Sequence, residues 1–124
     1  MTAKPTDPCH VLIIEDEAFL AMDLQDLLER EGVTSFDFAV SEEEAVAAAL
    51  ANPPMLITSD VKLVSGTGPG AIASIHRQLG RIPVIFITAT PAECMPCEPP
   101  GVVLTKPLNQ RAISAAFHAI TDPD

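Results

Sequence analysis

Positive charge is scarce in this sequence. Seven lysines and arginines stand against seventeen aspartates and glutamates in 124 residues, for a formal net charge of -10. That balance excludes nucleic acid and anionic membrane as expected partners, because binding either normally requires a basic patch. Long apolar runs are missing as well. The polar start, Met1 to Pro8, holds two prolines, and the run Val11 to Ile14 is stopped at once by Glu15, Asp16 and Glu17. Neither a secretory signal nor a membrane span is predicted from this. Three cysteines without such a signal do not make a disulfide framework, so a reducing cytoplasm is the expected compartment.

What is present is enough apolar residue, 48%, for one folded domain with a real core and no room for a second. Residues 1–9 are expected to form a disordered tail and residues 10–121 the domain. His10 to Ile14 is a short apolar run of the kind found in buried parallel strands. From Ala18 to Glu31, Leu20, Leu24, Leu27 and Leu28 recur at helical spacing, and Gly32 closes the helix. Thr34 to Val40 reads as an edge strand with Phe36, Phe38 and Val40 on one face. Ser41 and Glu44 then form the Ser-x-x-Glu pattern that opens a helix through Leu50.

Met55 to Asp60 is the stretch around which the chain is organised: an apolar strand ending in a carboxylate, followed by a glycine-rich loop from Val61 to Gly70. Ala71 to Leu79 is expected to be a helix, Ile82 to Thr88 the most apolar strand, Val102 to Thr105 a shorter one, and Leu108 to Thr121 a last amphipathic helix. Alternation of this kind predicts an α/β fold, a doubly wound five-stranded parallel sheet covered on both faces. The irregular passage Ala89 to Gly101 carries Pro91, Pro96, Pro99 and Pro100. The fourth helix should therefore be shortened or missing.

Parallel strands with right-handed crossovers bring their carboxyl ends to one edge of the sheet, which would gather Glu15, Asp16, Asp60, Thr88 and Lys106. Crowded carboxylates raise one another's proton affinity, so a hard divalent cation such as Mg2+ is the natural neutraliser. A carboxylate beside magnesium, an ammonium and a hydroxyl is equipped to accept a phosphoryl group: Asp60 attacks, Lys106 offsets charge and Thr88 bonds an oxygen.

In their order and spacing, the pair Glu15-Asp16, Asp60, Thr88-Ala89 and Lys106-Pro107 resemble a response-regulator receiver domain of two-component signalling, from about His10 to Ile120. The resemblance implies a flavodoxin-like receiver fold with strand order 2-1-3-4-5, the order with which general descriptions of doubly wound sheets illustrate a receiver. It further implies Asp60 as phosphoacceptor, Asp16 as direct magnesium ligand, Glu15 as a ligand through water and the Lys62 carbonyl as the remaining protein ligand. Thr88 and Lys106 would contact the phosphoryl group, and Lys106-Pro107 resembles the family's cis peptide. The implied donor is a phosphohistidine on a histidine kinase or histidine phosphotransferase. Pro83 to Ala89 and Val103 to Pro107 most resemble receivers of the alphaproteobacterial general stress response.

The sequence departs from the family pattern in places. Val103 stands where many receivers carry a switching aromatic ring, Val64 replaces a common proline, and the proline-rich passage occupies the fourth helix's place. Signalling is accordingly expected through rearrangement of Ala89 to Gly101. The expected protein is a stand-alone regulator, not a classical enzyme, that catalyses only its own phosphoryl uptake and loss. It would bind a downstream protein or drain phosphoryl from a relay as a sink. Rival readings are a receiver-shaped interaction module that is never phosphorylated and a redox-regulated one using Cys94 and Cys97. An aspartyl-phosphate phosphatase would want a second acid where Lys62 stands. His10, His76 and His118 show no metal-ligand spacing; His76 is expected on a helix surface and His118 near a polar helix face.

Overall fold

The computed structural model describes residues 10–61, 63, 65–88 and 101–121. Five strands lie there, β1 (His10–Ile14), β2 (Ser35–Ala39), β3 (Leu56–Asp60), β4 (Val84–Thr88) and β5 (Gly101–Thr105). The helices are α1 (Ala18–Glu29), α2 (Glu42–Ala51), α3 (Gly68–Leu79) and α4 (Gln110–Thr121), one after each of β1, β2, β3 and β5. All neighbouring strands are parallel, in the order β2-β1-β3-β4-β5, and β2 is an edge as its mixed sequence predicts. The expected tail, the shortened fourth helix and the cysteine pair Cys94 and Cys97 fall on residues 1–9 and 89–100, outside the described residues.

The two-residue period of a strand divides the core between the two faces of the sheet. Leu12, Ile14, Ile57 and Phe86 face α2 and α3, where Ala45, Ala49, Ile72 and Ile75 meet them. Val11, Ile13, Ile85 and Ile87 face α1 and α4, packing on Leu24, Leu28, Ile113 and Phe117. Because β1 and β4 are buried along their whole length, they read as continuous apolar runs rather than alternating ones.

The helix ends follow local chemistry. Ser41 Oγ accepts the Glu44 N–H at 3.2 Å, and Glu44 Oε1 accepts the Val40 N–H at 3.0 Å. This reciprocal arrangement is the one the Ser-x-x-Glu pattern predicts. α3, however, starts three residues earlier than expected. Gly68, Pro69 and Gly70 form its first turn, with Thr67 Oγ1 accepting the Gly70 N–H at 3.0 Å. A proline fits the first turn because its missing N–H has no partner there anyway, so Gly-Pro-Gly here opens a helix instead of extending a loop. α4 begins at Gln110 and not Leu108, since Asn109 Oδ1 accepts the Ala112 N–H at 2.8 Å and caps it. His76 is half-buried, with Nε2 2.9 Å from the Ile82 carbonyl oxygen, so it ties α3 to the entry of β4 and is not a free surface residue. Of the expected face of β2, Phe36 packs on the core while Phe38 and Val40 stay exposed.

Candidate functional site

β1 and β3 pair in register from Val11 with Leu56 to Ile14 with Ser59, so the residues that follow Ile14 come out beside Asp60. One ligand atom from each of Glu15, Asp16 and Asp60 lies within 4.8 Å of the others, the single such group of acidic or other metal-ligating side chains among the described residues. β4 and β5 pair with Thr88 opposite Thr105, and the Lys106 N–H donates to the Thr88 carbonyl at 2.9 Å. This extension of the ladder brings Lys106 Nζ to 3.7 Å from Asp60 Oδ2. The Lys106-Pro107 peptide bond is cis. Four strands thus contribute to one edge, as predicted from their polar ends; Lys62 lies outside the described residues.

Main-chain donors hold the carboxylates in place. Asp60 Oδ1 accepts the Val61 N–H at 2.8 Å and Glu15 Oε2 accepts the Glu17 N–H at 3.0 Å. Glu15 Oε1 is buried and has no hydrogen-bond partner. Burial pushes the Glu15 carboxyl up from 4.5 to about 7, helped by the facing Asp60 charge and, less, by Asp16, while the Glu17 N–H and Lys106 pull it down. Asp60 is also raised, first by burial and then by Asp16, against the opposing pull of Lys106 and the Val61 N–H. Mutual repulsion was the expected reason for these shifts. Burial is the larger one, because loss of water penalises the charged form of each group by itself.

The donor set is all oxygen, and one of its atoms is buried without a partner. A buried polar atom of this kind costs free energy unless something else bonds it. Hard cations such as magnesium take carboxylate oxygens and keep several waters, so the residues present fit that ion. Thr88 is buried at the end of β4, next to the strand that delivers Asp60. Sequence reasoning missed the two main-chain N–H groups that orient the carboxylates, because every residue but proline carries one and no residue type marks them.

A family model for the response regulator receiver domain matches residues 11–118. The phyllosphere-induced regulator PhyR of Methylorubrum extorquens is 37% identical over 112 residues, covering 87% of this chain and 42% of that protein. Among solved structures, the receiver domain of the Erythrobacter litoralis PhyR response regulator aligns with a TM-score of 0.79 at 29% identity, covering 93% of this chain and 94% of that one. The anti-anti-sigma factor PhyR from Bartonella quintana aligns with a TM-score of 0.74 at 36% identity over 87% of this chain and 45% of that one. The chain spans less than half the length of the curated relatives it matches. The resemblance to stress-response receivers agrees with these matches.

Proposed function

We propose, because this chain belongs to the response regulator receiver family, that it accepts a phosphoryl group on Asp60 from a phosphohistidine of a sensor kinase or histidine phosphotransferase. The observation that carries this reading is one convergence: carboxylate oxygens of Glu15, Asp16 and Asp60 within 4.8 Å of one another, with Lys106 Nζ 3.7 Å from Asp60. A regulatory domain of this family needs no further catalytic machinery.

The chemistry follows from those positions. An Asp60 oxygen forms a bond to phosphorus as the donor's N–P bond breaks and the imidazole leaves with the electron pair. The Val61 N–H holds the carboxylate in one orientation during the attack, which shortens the search for a productive geometry. Lys106 offsets negative charge on the transferred oxygens and the Thr88 hydroxyl bonds one of them. Glu15, Asp16, Asp60 and the Lys62 carbonyl would hold Mg2+, which when bound supplies further positive charge at the same place. Hydrolysis of the acyl phosphate returns the site to its starting state. The signal then leaves by protein binding, or the domain drains phosphoryl from a relay, in the cytoplasm where such kinases deliver it. No described helix is long and apolar enough to cross a membrane.

Incubation with acetyl phosphate, with and without magnesium, followed by intact-mass measurement of wild type and Asp60→Asn, tests the reading. A magnesium-dependent phosphoryl adduct on wild type alone is the expected result. Absence of an adduct with acetyl phosphate and with a panel of phosphorylated kinases would overturn it.

A further inference from the structure

Resting on the phosphoacceptor reading of Asp60, we propose that Glu42 is a positioning residue for the site. From the start of α2, its carboxylate fixes the path of the backbone that leaves Asp60, and thereby the carbonyl groups that this segment can turn toward a metal ion.

The segment from Val61 to Thr67 joins β3 to α3, and each of its ends is tied to something different. At the near end, the Val61 N–H bonds Asp60 Oδ1 at 2.8 Å, and the Gly68 N–H closes back on the Val61 carbonyl at 2.9 Å. At the far end, the only side chain from another element bonded to it among the described residues is Glu42. Its Oε1 accepts the Thr67 N–H at 3.1 Å, and its own N–H donates to the Ser65 carbonyl at 3.1 Å. One residue of α2 therefore grips two points of the loop.

The glycines at the end of this loop and in the first turn of α3 report how closely the chain is held. A Cβ on Gly66 would lie 2.5 Å from Glu42 Cβ, and one on Gly70 would lie 2.8 Å from Glu42 Oε1. On Gly68 a Cβ would run into the Asp60 carbonyl oxygen and Ser59 Oγ. Gly66 also has φ +81°, a conformation in which a side chain is strained. Alternate glycines thus let the chain lie between the acceptor strand on one side and Glu42 on the other.

A general preference for acid at a helix start does not account for this. The first turn of α2 carries Glu42, Glu43 and Glu44 together, and all three favour the helix dipole alike. Glu44 caps the helix through Val40 and Glu43 is exposed, leaving Glu42 as the one that reaches the loop. Its distinctive property is an acceptor atom at the right reach, not its charge.

Four variants separate these properties: Glu42→Ala, Glu42→Gln, Glu42→Asp and Glu43→Ala. Magnesium affinity is read by calorimetry and phosphoryl uptake from acetyl phosphate by intact mass. Glu42→Ala is expected to weaken magnesium binding roughly two- to tenfold, the range for one lost hydrogen bond, and to slow phosphorylation. Glu42→Asp keeps the charge but not the reach and should share the defect. Glu42→Gln keeps the acceptor and should stay close to wild type, as should Glu43→Ala. Equal behaviour of Glu42→Ala and wild type overturns the proposal, and so does a Glu42→Gln as impaired as Glu42→Ala. In both cases wild type still takes magnesium and phosphoryl; a wild type that takes neither overturns the phosphoacceptor reading instead.

Discussion

β1 carries a buried titratable residue at each end, and the fold treats the two in opposite ways. His10 begins the strand and Glu15 follows it, with relative exposures of 1% and 4%. At the amino end every polar atom of the ring is matched. Ser35 Oγ lies 2.7 Å from Nδ1 and Asp37 Oδ2 lies 3.0 Å from Nε2. Asn52 Nδ2 lies 3.1 Å from the same Nε2 and 3.5 Å from Asp37 Oδ2, so three side chains surround the ring. At the carboxyl end one oxygen of Glu15 has the Glu17 N–H and the other has nothing. Equal burial with unequal satisfaction sets the two ends apart, because a buried atom left unpartnered costs stability that a partnered one does not.

Paired substitutions put that difference to its strongest test. His10→Leu keeps the volume but leaves Ser35, Asp37 and Asn52 without the ring, and should lower unfolding free energy by about 2 kcal/mol, with magnesium binding unchanged. Glu15→Gln should do the reverse. It relieves a carboxyl that burial already disfavours, so the metal-free protein keeps or gains stability, while magnesium affinity falls by about 10- to 100-fold as for other groups that bind through an intervening ligand. Urea melts followed by circular dichroism and magnesium calorimetry give both numbers. Equal losses of stability in the two variants would erase the distinction between the ends.

How visible the two ends were in the sequence differs for a physical reason. Each member of the carboxyl-end cluster closes an apolar run, so Asp60 after Leu56 to Ser59 or Lys106 after Val102 to Thr105 can be read one strand at a time. Parallel topology then assembles them without further information. The His10 cluster draws on β1, β2 and the end of α2, with partners 25, 27 and 42 residues apart, and no local pattern announces it. The same holds for Glu42, whose partner Thr67 is 25 residues away, although the neighbouring cap of Ser41 and Glu44 was legible because both halves lie within one turn. The start of α3 was misread because glycine and proline punctuate most chains. Here close packing on Asp60 and Glu42 requires the glycines, and the first turn accepts the proline.

A pH titration sharpens the comparison with a smaller effect. Glu15 in the folded protein titrates at about 7 against an ordinary 4.5, and Asp60 is shifted the same way. Between those values the folded state holds protons that the unfolded state has released. Metal-free stability therefore falls as pH rises from 4.5 and levels off above 7. Magnesium requires the ionised carboxylate, so its binding should tighten over the same interval, by at most about tenfold per pH unit for one proton released. Glu15→Gln should flatten both curves, and His10→Leu should leave the magnesium curve in place. Calorimetry at a series of pH values checks this; a magnesium affinity independent of pH from 5 to 8 would show that Glu15 gives up no proton to the ion.

The smallest effect comes from a residue that tests whether an unpartnered polar atom always signals function. Thr58 is fully buried in the middle of β3, between Ile13 and Ile85 in register, and its Oγ1 has no partner. It shares Glu15's deficit but not its place: it lies in the strand's interior on the face covered by α1 and α4, whereas Glu15 sits at the edge where Asp16, Asp60 and Lys106 converge. Thr58→Val removes the hydroxyl at nearly constant shape and should raise unfolding free energy by about 1 kcal/mol, with phosphoryl uptake on Asp60 unchanged. A gain in stability alone means that an unsatisfied atom becomes a binding group only where the strand ends bring other charges to meet it. Loss of phosphoryl uptake in a folded Thr58→Val would instead extend the site two residues down β3, and the boundary drawn between the strand's interior and its carboxyl end would have to move with it.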